Sequence, residues 1–288
     1  MAILAALYLR PDCLSEALDA LAARPLTVAA GCTDLFPATE RKVLPGDILD
    51  ITAIDELSGI SRTDEGVRIG ATTSWSEILQ ADLPPALDAL KLAATEVGAK
   101  QIQNRGTIGG NLCNASPAAD GVPPLLIVDA EVELSSAEGA RRLPLSEFIT
   151  GPRQTTRQDR ELLTAVCLPL QSLAGRSNFL KLGAREHLVI SIAMTAARVV
   201  EEGGVIETAA LSVGACGPVA TRLPKIESSL AGTSLNTATL GSLVTDETVA
   251  ATLSPIDDVR ADAGYRAGAA AELLRRTLLD LGDRRLAA

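Results

Sequence analysis

GTIGGNLCNASPAAD, residues 106–120, sets three glycines, two asparagines, a serine, a proline and an aspartate into fifteen positions. Glycine has no Cβ, so backbone amides in such a stretch approach a ligand closely, tolerate positive φ and turn successive N–H groups into one anion-binding concavity. Here Thr107 and Asn111 add side-chain donors beside the expected amide donors of Gly109 and Gly110, with Ile108 between them. A second short stretch, AGCTDL at residues 30–35, offers Gly31, the amides of Cys32 and Thr33 and the Thr33 hydroxyl, directly after the β-rich run LTVAA. Either stretch alone reads as a tight turn. Taken together, with Asn114, Ser116 and Asp120 downstream, they read as two nests that clamp a pyrophosphate from both sides. No G-x-G-x-x-G follows a strand and no G-x-x-x-x-G-K-[ST] occurs, so a standard NAD site and a P-loop are excluded.

Outward from these turns the chain alternates strands and helices. CLSEALDALAA (residues 13–23) sets Leu14, Leu18 and Leu21 on one helical face, with Glu16 in the first turn. DILDIT and VRIGATT read as strands, SWSEILQA as a helix begun at Trp75 with Glu77 in solvent, and ALDALKLAATEVGAK as a helix with Leu87, Leu90, Ala94 and Val97 inward. PPLLIVDA reads as a short buried helix that Asp120 would cap, and EVELSS and ELLTAVCLPL as strands. The polar QSLAGRSN marks a boundary, giving domains at 1–172 (subdomains about 1–55 and 56–172) and 173–288. Beyond it lie a hairpin turning at residues 201–204 and a C-terminal amphipathic helix with Leu273, Leu274, Thr277 and Leu278 inward. The class is α+β.

Composition bounds the function. The 288 residues carry 26 Lys plus Arg against 36 Asp plus Glu, a net charge of −10, which disfavours nucleic acid and anionic lipid. The longest apolar run, residues 188–200, is too short for a bilayer span, and the N-terminus lacks a basic leader and reads as a first strand, so the expected address is the cytoplasm. Cysteines at 13, 32, 113, 167 and 216 are scattered, and there is one histidine, His187; neither a disulfide framework nor a protein-bound metal is expected, and most of the thiols read as small buried hydrophobes. His187 reads as a turn residue at a strand edge. A hydrolase built on Ser116 and His187 lacks the G-x-S-x-G elbow.

At the two glycine stretches the sequence resembles the FAD-binding subunits of the molybdenum hydroxylases, the family of xanthine dehydrogenase, carbon monoxide dehydrogenase and related oxidoreductases. The likeness runs through YLRP, AGCTDL, VRIGATTSWSEI, QIQNRGTIGGNLCNASPAAD, GPRQT, ELLTAVCLP, FLKLGAREHLVISIAM and GYRAGAAAELLRR. It implies an FAD-binding fold of the vanillyl-alcohol-oxidase (PCMH) type in two subdomains, followed by a smaller C-terminal α+β domain. It further implies that the pyrophosphate lies on Val28, Ala29, Ala30, Gly31, Cys32, Thr33, Asp34 and Leu35 and on Thr107, Ile108, Gly109, Gly110 and Asn111. Asn114 and Asp120 match cofactor-bonding positions, and Leu163 and Lys181 match positions near the flavin and adenine ends. No catalytic dyad and no metal ligand is implied.

The role implied is electron transfer in a heteromeric complex. A molybdopterin-binding large subunit oxidises the substrate, [2Fe–2S] clusters of a small subunit pass electrons on, and FAD delivers them to NAD or another acceptor. The alternatives are a self-contained flavin reductase or oxidase and a scaffold subunit that has lost FAD. The family's first turn usually reads AGGTDL; Cys32 replaces its second glycine, which implies a negative φ there with only the amide in use. Gln103 stands where a basic residue is frequent, and the cysteine-rich insertion of the benzoyl-CoA-reducing branch is absent.

Overall fold

The computed structural model describes residues 6–39, 44, 46–186 and 188–286. Among the described residues, three sheets of three or more strands follow one another along the chain, beside one two-stranded pair. The first is a small parallel sheet of β1 (Tyr8–Leu9), β2 (Thr27–Ala29) and β3 (Ile48–Asp50), in the order β1-β3-β2. Helix α1 (Leu14–Ala23) connects its first two strands and buries Ala17 and Leu21. The expectation that the first strand starts at the N-terminus falls partly on residues 1–5, outside those described; what is observed is the short β1.

The second sheet is antiparallel and five-stranded, in the order β4-β5-β10-β6-β7. Its strands are β4 (Ile60–Thr63), β5 (Gly66–Gly70), β6 (Glu131–Ser136), β7 (Gly139–Pro144) and β10 (Leu162–Pro169). Between β5 and β6 run α2 (Trp75–Gln80), α3 (Asp88–Glu96), α4 (Lys100–Gln103), α5 (Ile108–Asn114) and α6 (Val122–Leu126). The short α7 (Leu145–Phe148) and the pair β8 (Ile149–Gly151) and β9 (Gln154–Thr155) precede β10. The helices and one sheet face enclose a core of Ile69, Trp75, Ile78, Leu90, Leu112 and Phe148. Apolar alternation in β10 is lost because both faces are covered: Leu162 to Val166 are all buried.

The third sheet, β11-β12-β13-β14, is antiparallel: β11 (Arg176–Leu182), β12 (Ala193–Glu202), β13 (Val205–Gly214) and β14 (Thr221–Arg222). The β12–β13 turn carries Gly203 and Gly204, both at positive φ, as a tight hairpin requires. Helices α8 (Pro224–Leu230), α9 (Thr237–Leu243), α10 (Asp246–Ala250) and α11 (Ala263–Leu286) cover one face. Ala270, Ala271, Leu274, Leu278 and Leu281 of α11 repeat at three- and four-residue steps and join the core of this sheet.

Three expectations change here. The stretch after Thr107 is not a loop: α5 is a short helix whose first turn contains Gly109 and Gly110. Most of the cysteines are not buried; only Cys216 is, and Cys113 is exposed. Trp75 does open α2, but it is also among the largest fully buried side chains.

Candidate functional site

The first turn leaves the end of β2 at Ala30. Among the described residues, the amides of residues 31–35 donate to no protein acceptor, so a set of unengaged N–H groups stands at one strand end. Cys32 has φ +60°, which corrects the expectation of a negative value: the turn needs the left-handed conformation, and a side chain there costs about 1–2 kcal/mol. Its Sγ lies 3.3 Å from the Ala30 carbonyl oxygen. Burial, then the Asp50 carboxylate, push the Cys32 thiol up, against the opposing charge of Arg105, so it stays protonated at neutral pH. Asp50 itself is held low despite burial, because it accepts from the Thr52 amide (2.8 Å), the Thr52 hydroxyl (2.6 Å) and the Tyr8 hydroxyl.

The second turn lies against the first. A Cβ on Gly31 would sit 1.8 Å from the Arg105 carbonyl oxygen, so only glycine lets the two segments touch. The amides expected to serve as donors here are already used. Gly109 donates to the Ala71 carbonyl (2.9 Å), Gly110 to Thr107 Oγ1 (3.1 Å) and Ile108 to the Thr73 carbonyl (3.0 Å). Thr107 is therefore the N-cap of α5, its hydroxyl oxygen accepting from Gly110 while its O–H stays able to donate. Gly109 lies so close to Ala71 that an added Cβ would meet its backbone oxygen at 2.7 Å, while Gly110 faces solvent. The second turn is a packed wall beside the open amides of the first.

Trp75 carries no role in the sequence reading beyond opening a helix. Its indole ring fills the space left by two glycines: a Cβ on Gly106 would meet Cδ1 at 3.2 Å, and one on Gly121 would meet Cη2 at 2.5 Å. Asn111 Oδ1, buried and without a partner among the described residues, also lies against Gly121. An unpaired buried acceptor of this kind is held at a cost and is a natural partner for a donor from outside the chain.

Asp120 and Lys181 are brought together. Lys181 Nζ lies 2.9 Å from Asp120 Oδ2 and 3.2 Å from the Glu96 carbonyl oxygen, with side chains 5% and 12% exposed for Lys181 and Asp120. Ser191 donates to Asp120 Oδ1 at 2.7 Å. Burial raises the Asp120 carboxyl, with Lys181 and Ser191 opposing. Asp120 does not cap α6, whose N-cap is Gly121 without a side-chain bond; its oxygens turn to Lys181 and Ser191 instead. Asn114 takes a bond from Arg153 to its Oδ1.

Leu163 is buried in β10 opposite Leu134, at a bulge that precedes Ala165. The Ala71 amide donates to the Thr164 carbonyl while the Ala71 carbonyl accepts from Gly109, which puts the bulge one hydrogen-bonded step from α5. Val28 and Ala29 lie in β2, and Thr33, Asp34 and Leu35 complete the first turn, Asp34 exposed. His187 and the readings placed on it lie outside the described residues; Ser116 Oγ accepts from the Ala118 amide in a local turn. A separate concavity of about 500 Å³ lies on the outer face of the second sheet, between Arg68, Arg142 and Cys167, and includes none of the residues expected to bind a ligand.

Residues 3–171 match the family described as the FAD binding domain in molybdopterin dehydrogenase, and residues 178–281 match the CO dehydrogenase flavoprotein C-terminal domain. The chain is 32% identical to a xanthine dehydrogenase FAD-binding subunit of Escherichia coli over 265 residues, 90% of either chain. It is likewise 32% identical to a glyceraldehyde dehydrogenase medium chain of Sulfolobus acidocaldarius, covering 90% of this chain and 92% of that one. A solved CO dehydrogenase from Oligotropha carboxidovorans superposes with a TM-score of 0.90 at 26% identity, over 99% of this chain and 100% of that chain.

Proposed function

Because the chain belongs to the FAD-binding subunits of the molybdenum hydroxylase family, we propose that it relays electrons inside a multi-subunit dehydrogenase. At the coarser level it is the flavoprotein subunit of an oxidoreductase of the xanthine and CO dehydrogenase type, and its cofactor is FAD. In the finer reading, a molybdopterin-bearing large subunit oxidises the organic substrate and [2Fe–2S] clusters of a small subunit supply the electrons. NAD or another acceptor takes them, in the cytoplasm. Among the described residues, no helix is long and apolar enough to cross a membrane.

The observation that carries the reading is the pair of abutting turns. Unengaged amides at residues 31–35 and a glycine that no other residue can replace at the contact with Arg105 fit a diphosphate, and the orphan Asn111 Oδ1 fits an O–H or N–H donor of the groups attached to it. The residues assigned to hold FAD are Val28 to Leu35, Thr107 to Asn111, Asn114, Asp120, Leu163 and Lys181. Amide dipoles supply the positive field, which suits a chain of net charge −10. Within this set the first turn binds and the second excludes water by packing. The Asp120–Lys181 pair orients the segment that follows α5. When bound, FAD supplies a ring that accepts and releases one or two electrons. The division into domains at 1–172 and 173–288 belongs to the same reading, with the cofactor turns in the first.

The test is a visible spectrum of the purified chain after incubation with FAD and removal of free cofactor. Retained flavin absorbance that bleaches with dithionite and recovers with NAD or a dye is the expected result. A colourless protein overturns the reading, and turnover of an organic substrate by the isolated chain would instead mark a self-contained flavoenzyme.

A further inference from the structure

Arg266 of α11 is fully buried, in a part of the molecule to which no cofactor role is assigned. Its guanidinium reaches three acceptors: the Ile192 carbonyl (2.5 Å), the Ala215 carbonyl (2.7 Å) and Asp258 Oδ1 (2.7 Å). Among the described residues its Nε has no partner. A buried arginine with one donor left unmet is an expensive way to hold a helix against a sheet, since apolar packing would do that at lower cost. The bonds it does make share a destination.

Ala215 has φ +61° and donates its amide to the Pro117 carbonyl at 3.0 Å. Pro117 begins the PAAD run. On the other arm, Asp258 also pairs with Arg260, and Arg260 Nη1 donates to the Ser191 carbonyl at 2.9 Å. Ser191 in turn donates its hydroxyl to Asp120, the last residue of PAAD. Residues 191 and 192 are thus both pinned through their carbonyls, and the two ends of residues 117–120 are each one hydrogen bond away from a group that Arg266 or Arg260 fixes. The planar fork of a guanidinium suits this task, because two carbonyls and a carboxylate are met at fixed angles.

We propose that Arg266, with Asp258 and Arg260, is a remote positioning residue for FAD: it fixes the segment 117–120 and so the Asp120–Lys181 pair, without touching the cofactor. This rests on the assignment of Asp120 and Lys181 to the cofactor site.

The test compares the full-length chain carrying Arg266→Met, Arg266→Lys or Arg260→Met with the unmodified chain, by FAD titration of cofactor-stripped protein and by thermal unfolding. Leu230→Ala serves as a destabilised control, because Leu230 packs in the same core near the opposite end of β13, where residues 206 and 233 bond. The expected result is an FAD dissociation constant raised at least about tenfold in Arg266→Met, partly recovered in Arg266→Lys and raised about threefold in Arg260→Met. At a matched loss of Tm the Leu230→Ala protein should stay within about twofold of the unmodified chain. Folded Arg266→Met and Arg260→Met proteins with unchanged FAD affinity, or a Leu230→Ala protein that loses as much, would overturn the proposal. Should Arg266→Met not fold, Arg260→Met, whose side chain is partly exposed, decides the matter alone. If the unmodified chain binds no FAD, the functional reading fails instead, and the two failures are told apart.

Discussion

Cys32 holds a left-handed backbone conformation that favours glycine, and the consequence is measurable. Cys32→Gly should raise stability by about 1 kcal/mol, since strain is removed and no hydrogen bond but the weak thiol contact is lost. That corresponds to a Tm increase of about 2–4 °C in scanning calorimetry, with FAD affinity unchanged within a few-fold; a fall in Tm would show that the thiol contact outweighs the strain. Gly31→Ala tests the neighbouring position in the opposite direction. Its Cβ would overlap the Arg105 carbonyl, so the two turns must part, and the FAD dissociation constant should rise on the order of 100-fold, about 2.7 kcal/mol, in a fluorescence titration. Gly31 was legible in the sequence as part of a glycine turn, but its contact with Arg105 was not, since that partner lies 74 positions away; nor was the sign of φ at 32, because a cysteine there argues locally for the right-handed half of the map.

At the scale of elements, α5 shows where pattern reading fails. Two adjacent glycines disfavour helix by about 1 kcal/mol each, so IGGNLCN reads as loop. It is helical because the Thr107 cap and the bonds from Ile108 and Gly109 to the segment 71–73 fix its first turn from outside. Thr107→Ala should therefore cost about 1 kcal/mol in urea unfolding. The long helices α1, α3 and α11 and the β12–β13 hairpin were legible, since their apolar periods and turn glycines are local signals. The edge of the second sheet gives a pH test. Arg141 bonds both oxygens of Glu161, and this holds the Glu161 carboxyl below its ordinary range. The stabilisation is complete above the unfolded carboxylate value of about 4.3 and drains away as pH falls through the lower folded value. Glu161→Gln should lower stability at pH 7 by about 1 kcal/mol, Arg141 being partly exposed, and should flatten the acid limb of a stability–pH curve. An unaltered acid limb would mean that the pair contributes nothing.

Across the whole molecule, the contacts that join the third sheet to the cofactor region connect residues far apart in sequence. Lys181 and Asp120 are separated by 61 positions, and Ser191 and Asp120 by 71. Resemblance marks Asp120 and Lys181 as site residues, yet nothing local says that they bond each other; Ser191 and Arg266 lie inside stretches that carry the resemblance but are given no role by it, and Arg260 lies outside them. A double-mutant cycle measures the pair. Asp120→Asn and Lys181→Met should each cost about 3 kcal/mol, because each leaves a buried partner unmatched, while the double variant should lose less than the sum. Strict additivity in denaturant titrations would show that the pair is not coupled.

The chain has a single tryptophan, and it sits wedged between Gly106 and Gly121, one residue along from the Arg105 carbonyl against which Gly31 packs. Nature has thereby installed one internal lamp, sealed from water, at the floor of the cradle. Oxidised flavins absorb in the near ultraviolet where indole emits, so loading with FAD should dim that emission by energy transfer and release of the cofactor should restore it. Occupancy can then be followed without a label, and the Gly31→Ala protein should stay bright.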